Sequence, residues 1–217
     1  MKKILLLVFL FTACFEGFSQ EVIKFKKGYV GISLGWTIHT GSSFGPMRIV
    51  PVPSVDPGQE QQPIILDPAP DLKPGSIGIN INLIDAGYTF GKHWGIALKW
   101  QGGAHVSELN GDTFVSSFGM IMLGPMYTLN LQDDLELDIK LRGGRMYFGN
   151  DYTIGNGSGG SLQENINFGL EFGGSLRYHF APKWSWINNL EFQNQFTEYS
   201  DERINRINLS TGIAFRF

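Results

Sequence analysis

A single cysteine, Cys14, stands among 217 residues, and it lies within an N-terminal apolar run. Once that run is removed, the chain has no disulfide staple, no thiol nucleophile and no thiolate metal site. Stability must then come from strand pairing and burial. Charge is scarce as well: 17 Lys and Arg face 20 Asp and Glu, a net charge of −3, which leaves no electrostatic footprint for nucleic acid. Past residue 20 no apolar stretch reaches the ~20 residues of a membrane-spanning helix. Any membrane reading therefore rests on alternation of period two, which is weaker per segment but testable strand by strand.

The N-terminus pairs Lys2 and Lys3 with the apolar run Ile4 to Ala13, the layout of a secretory signal. Two processing routes fit it. Gly17 and Ser19 are small residues at −3 and −1 for cleavage before Gln20, giving a signal over 1–19 and one domain over 20–217. Alternatively, Phe11-Thr12-Ala13-Cys14 is an imperfect lipoprotein box, with Phe11 where Leu, Val or Ile is usual, and the signal ends before a lipidated Cys14. The reading of the rest of the chain is the same on either route.

What the chain has in quantity is glycine, 28 residues, and aromatics at 13%, and these fall into alternating runs. Over about 28–39, Val30, Ile32, Leu34, Trp36 and Ile38 alternate with Gly31, Ser33, Gly35, Thr37 and His39. Over about 93–103, Trp94, Ile96, Leu98 and Trp100 alternate with Gly95, Ala97, Lys99 and Gln101. Leu135, Leu137, Ile139 and Leu141 are interleaved with Glu136, Asp138, Lys140 and Arg142, a period of two that a helix would scatter around its surface. Segments at about 161–180 and 206–217 repeat the pattern. The segment after Trp184 is rougher: Asn188 and Asn194 share parity with Trp186, Leu190, Phe192 and Phe196, which calls for a bulge. Segments at about 76–90 and 114–129 change phase near Leu83-Ile84 and Met122-Leu123, which reads as a bulge in each. Pro125 lacks a ladder donor and is expected near a strand end or bulge.

Connections alternate between tight ones, at Gly91-Lys92, Leu131 to Asp134 and Ala181 to Lys183, and longer ones at about 40–75, 104–114, 149–160 and 198–205. Short turns on one side and longer loops on the other are what a membrane barrel shows, and eight strands put both termini on the short-turn side. All five tryptophans fall on the lipid parity, where chance would place about half. Phe90, Trp94, Phe180 and Trp184 flank the tight turns, as an interfacial girdle does. The expectation is an all-β, eight-stranded antiparallel transmembrane β-barrel. A soluble barrel with these aromatics in its core is the rival.

The last residues, Ser210-Thr211-Gly212-Ile213-Ala214-Phe215-Arg216-Phe217, resemble the C-terminal assembly signal of outer-membrane barrels, carried by Ser210, Gly212, Phe215 and Phe217. The chain as a whole resembles the small OmpA/OmpX-type barrels, and Gly124-Pro125-Met126-Tyr127 before a short turn looks like barrel families common in Bacteroidota. That resemblance implies residence among outer-membrane lipid and recognition of Phe217 and its strand by the barrel-assembly machinery. It carries over no catalytic residue and no cofactor.

The inward parity gathers Lys99, Glu136, Asp138, Lys140, Arg142, Glu171, Arg177, Glu191 and Arg216. Ionised groups in a narrow interior are costly unless paired, so these are expected to form a lumenal charge network; a narrow ion or proton path is the alternative. His105 and Ser107 resemble the His-x-Ser spacing of a lipid A deacylase barrel, but strand parity turns them away from lipid and no acidic orienter presents itself. His39, His93, His105 and His179 are scattered over several strands. His39 and His105 can approach each other only if their loops allow it, and metal ligation needs three or four convergent ligands. Gly155 to Gly160 lacks the Lys-Ser/Thr of a phosphate loop. The loop at about 40–75 holds eight of ten prolines with Ile49, Val50, Val52, Val55, Ile64, Ile65 and Leu66. Extended, stiff and apolar, it is expected to dock on a protein partner or on its own barrel mouth. The function expected is a non-enzymatic outer-membrane barrel with a structural or accessory role.

Overall fold

The computed structural model describes residues 27–41, 49–51, 63–65, 74–109, 112–153, 159–196 and 203–217. The signal region, Cys14 and most of the Pro-rich loop lie outside these. The described residues form ten strands: β1 (Gly28–His39), β2 (Ile49–Pro51), β3 (Pro63–Ile65), β4 (Ile77–Thr89), β5 (Trp94–Leu109), β6 (Asp112–Gln132), β7 (Leu135–Thr153), β8 (Gly159–Ala181), β9 (Trp184–Phe196) and β10 (Arg203–Arg216). Eight of them form a closed antiparallel barrel in the order β1-β10-β9-β8-β7-β6-β5-β4, so each of these eight has two neighbours and the barrel sheet has no open edge. Strands β2 and β3 pair separately, Ile49 with Ile65 and Pro51 with Pro63, placing a short ribbon inside the Pro-rich segment. The ends of β1 and β10 are tied by Gly28 and Phe217, whose amides each donate to the other's carbonyl at 3.1 and 3.0 Å.

Burial settles the choice between a membrane barrel and a soluble one. Trp36 is 60% exposed and Leu141 51%, whereas Lys140 and Arg177 are 1% and 4% exposed. All five tryptophans and a continuous set of Ile, Leu and Phe side chains face outward. A water-soluble monomer rarely shows contiguous apolar patches beyond a few hundred Å²; here the outward face of the barrel strands is predominantly apolar, so its solvent is hydrocarbon. Barrels of this build cross the outer membrane of Gram-negative bacteria, and the apolar wall places this one there.

The phase change in β4 is a bulge, as its sequence suggests: register shifts between Asn82 and Ile84 against β5, and between Gly31 and Ser33 on β1. The expected bulge at Met122-Leu123 is absent. Register is constant along β5–β6 from Trp94↔Tyr127 to Leu109↔Asp112, and Phe118, Met120, Met122 and Met126 all face inward. The phase looks broken in the sequence because this strand carries apolar side chains on both faces. Pro125 is likewise not at a strand end or a bulge. It lies inside β6, exposed on the outer face, and the β6–β7 pairing passes from Leu123↔Gly143 to Met126↔Lys140 at unchanged register, skipping Gly124 and Pro125. A missing donor is tolerated where the ladder simply lapses for two residues.

No bulge rescues Asn188 and Asn194 either, since β9 keeps one register against β10. Both keep the outer parity and find polar partners across the strand. The Trp186 indole donates to Thr211 Oγ1 at 2.6 Å, and Thr211 Oγ1 donates to Asn188 Oδ1 at 2.9 Å. Asn194 Nδ2 donates to Asn205 Oδ1. The connections at about 104–114, 149–160 and 198–205 are shorter than expected, because β5 runs to Leu109, β6 starts at Asp112, β7 runs to Thr153, β8 starts at Gly159 and β10 starts at Arg203. At 21 and 23 residues, β6 and β8 far exceed the 12 of β1. About 9–11 residues suffice to span hydrocarbon, so one side of the wall projects beyond the bilayer. Out there alternation is no longer demanded, while backbone pairing continues.

Candidate functional site: the barrel lumen

The buried polar and charged side chains of the described residues gather in the lumen. From the turn end upward, the inward positions of β7 are Glu136, Asp138, Lys140 and Arg142, followed by Met146 and Phe148. The charged half of that sequence meets its counterions across the barrel. Arg142 Nε donates to Glu171 Oε1 of β8 at 2.6 Å, its NH2 to Glu191 Oε1 of β9 at 2.6 Å, and its NH1 to Asp85 Oδ1 of β4 at 3.3 Å. Lys99 of β5 bridges Glu171 at 2.8 Å and Glu191. Lys140 holds Asp85 at 3.0 Å.

Below these, Arg177 grips Asp138 through two bonds of 2.7 and 3.0 Å and reaches Glu136 at 2.6 Å. Thr128 donates to Asp138 at 2.7 Å. The Arg177 guanidinium lies 4.3 Å from the centre of the buried Tyr29 ring. His179 Nε2 is 3.3 Å from Glu136, and its Nδ1 is 2.7 Å from Ser185 Oγ. Neutral groups brace the strands around the closure: Asn82 Nδ2 donates to Ser33 Oγ at 2.7 Å and Asn189 Nδ2 to Ser210 Oγ at 3.1 Å, tying β4 to β1 and β9 to β10. Together these bonds cross the middle of the barrel.

Of the nine expected lumenal charges, Lys99, Glu136, Asp138, Lys140, Arg142, Glu171, Arg177 and Glu191 are buried and joined in this way; Arg216 is inward and half-buried at the turn end. Ser210 faces the lumen and Phe217 is exposed to the outside. Two further buried charges escape the sequence pattern. Asp85 falls beyond the β4 bulge, which turns its parity inward; carrying the flip through from Leu83 finds it. Arg206 shares the inward parity of Asn208 and Ser210, but it is the first residue of its alternating run, where a strand end and a lumenal position look alike.

The loop-end half of the lumen is different. Phe118, Met120, Met122, Met146, Phe148 and Ile204 form an apolar cluster, and the buried Arg206 guanidinium lies 4.3 Å from the Phe118 ring centre and 5.6 Å from that of Phe148. His39 and His105 come together with ring centres 6.5 Å apart, and His105 is 6.0 Å from Phe118. The His39–His105 approach that the sequence makes conditional on the loops is thus made by the walls themselves, through the pairings His39↔Arg206 and Gly78↔His105. His105 is buried and inward, away from any lipid substrate; the Ser107 side chain lies outside the described residues. Among the described residues, no group of three His, Cys, Asp or Glu is arranged to hold a metal ion.

No family model and no curated protein matches the chain. Solved structures similar to it include Ail, the attachment invasion locus protein of Yersinia pestis, crystallised with the heparin analogue sucrose octasulfate, at 14% identity and TM-score 0.49 over 88% of this chain and 99% of that one. Neisserial surface protein A matches at 15% identity and TM-score 0.49 over 88% and 97%. The N-terminal β-barrel domain of Pseudomonas aeruginosa OprF matches at 11% and 0.41 over 88% and 98%. The likeness is one of general build, and it brings no residue role to this barrel.

Proposed function

We propose that this protein is a non-enzymatic outer-membrane barrel with a structural or accessory role, of the small OmpA/OmpX type and akin to those common in Bacteroidota, which offers its outer loops as an interaction surface. The observation that carries this reading is the cross-barrel ion network: Arg142, Lys99 and Lys140 are locked to Asp85, Glu171 and Glu191, which leaves the middle of the lumen to side chains rather than to a permeant path. In planar bilayers the refolded protein is expected to show no unitary conductance. Reproducible steps from the wild type that change size in Arg142→Met would favour the channel reading instead.

The partner in this reading is a protein met by the Pro-rich segment at about 40–75. Deleting 46–74 is expected to abolish co-purification of a stoichiometric partner from detergent-solubilised membranes while the barrel still folds. A partner retained by the deleted form refutes docking through that segment. Insertion in this reading is by the barrel-assembly machinery acting on the strand that ends at Phe217.

A further inference from the structure

Arg206 is a fully buried cation whose Nε, NH1 and NH2 have no hydrogen-bond partner among the described residues. Stacking on Phe118 satisfies the face of the guanidinium but none of its N–H donors, which radiate in the plane. Its surroundings repeat the deficit. Both ring nitrogens of His105, both side-chain polar atoms of Gln195 and of Asn208, and the Gln101 Nε2 are buried without partners among the described residues. Register links these groups: Arg206 lies opposite Gln193, which donates to Gln101; Gln195 lies opposite Ile204, and Ile204 and Asn208 each stand two residues from Arg206; Arg206 and His105 share the Phe118 ring. The lower network, by contrast, bonds every one of its buried carboxylates to its own cations, so that none lies against Arg206 among the described residues.

From this we infer that the loop-end half of the lumen is a binding site for a small anion, of the halide or carboxylate class, held by the Arg206 guanidinium with His105, Gln195 and Asn208 as neutral donors. A second cation is repelled by Arg206, and water alone leaves its charge uncompensated in an apolar cluster. A carboxylate or halide supplies both charge and acceptors, and guanidinium is the side chain best shaped for the former. The guanidinium has no solvent contact, so entry requires side chains to yield. Met120 and Met146, unbranched and flexible, belong to the same cluster and move at small cost.

The test uses the whole mature chain refolded in detergent micelles, with chloride, formate and acetate titrated in turn while a bulky sulfonate holds the ionic strength. The urea midpoint, read as loss of the folded gel mobility, is expected to rise saturably with at least one of these anions, as linkage to a native-state site requires. In refolded Arg206→Met the rise is expected to vanish. The Nε–H resonance of Arg206 in ¹⁵N-arginine-labelled wild type, assigned by its loss in that variant, is expected to shift with the same half-point. If Arg206→Met does not refold, His105→Phe replaces it, and half-saturation is expected to move several-fold upward. No saturable response in the wild type, an equal response in Arg206→Met, or an unchanged half-point in His105→Phe overturns the inference.

Discussion

In the turn-end half of the lumen Arg142 touches three carboxylates, and in the loop-end half Arg206 touches none among the described residues. Both guanidiniums are fully buried in the same barrel, so the contrast isolates what surrounds a charge from the fact of burial. Below, cations and acids face each other from different strands, and the result is a cross-braced floor. Above, β6 and the upper part of β7 supply Phe118, Met120, Met146 and Phe148 instead. The difference teaches that a polar lumen is not one object. Its turn-end half is cross-braced by ion pairs, and its loop-end half leaves polar groups under-bonded among the described residues.

The sharpest way to break this comparison is Arg142→Met, which leaves Asp85, Glu171 and Glu191 buried with one counterion fewer each. Removing one partner of a buried ion pair costs about 3–5 kcal/mol, so the urea midpoint of the refolded barrel should fall steeply. A fall no larger than that of Arg206→Met in anion-free buffer would erase the distinction between the halves. Next in size is Gln193→Leu at their junction. Gln193 Nε2 donates to Gln101 Oε1 and Glu171 Oε2, each at 2.7 Å, and losing a hydrogen bond to a charged group costs about 1.5–3 kcal/mol. Equilibrium unfolding checks it, and a neutral outcome would mean that the two halves are not coupled through this residue.

A smaller effect is expected from His105→Phe in anion-free buffer. Its ring nitrogens have no partners among the described residues to lose, and an apolar ring beside Phe118 removes the penalty of about 1–3 kcal/mol for unsatisfied buried polar groups. The change should be neutral to mildly stabilising, the opposite sign from Gln193→Leu; a clear destabilisation would show that His105 is bonded in the membrane-inserted protein. The smallest lies on the lipid face, where Thr211→Val separates the Trp186–Thr211–Asn188 chain. Side-chain polar bonds between membrane helices average about 0.6 kcal/mol, and a comparably small drop in the same assay is expected.

Much of this architecture is legible in the amino-acid order. The strict alternation of Leu135 to Arg142 assigns each side chain to one wall, and it gathers Glu136, Asp138, Lys140 and Arg142 inside without naming their partners. Where both faces are apolar, as in Phe118 to Met126, period two loses its contrast, and a greasy upper lumen looks like a bulge. Where both faces are polar, as toward Thr153 and Gly159, strands read too short because backbone pairing leaves no mark on side-chain pattern. Asn188 looks misplaced in its own strand because its partner, Thr211, lies on another.

The amino-acid order by itself determined the class of object: alternation of apolar and charged residues across short turns, with no spanning helix, admits a closed sheet with grease outside and charge within, since each strand has only two faces and lipid accepts only one kind. Which charge meets which was decided by closure. Lys99 finds Glu191 across the lumen, and Arg206 is left facing phenyl rings, only once shear and bulge set the heights of strands far apart in the chain, because a hydrogen bond depends on distances of a few tenths of an ångström that no one-dimensional pattern contains.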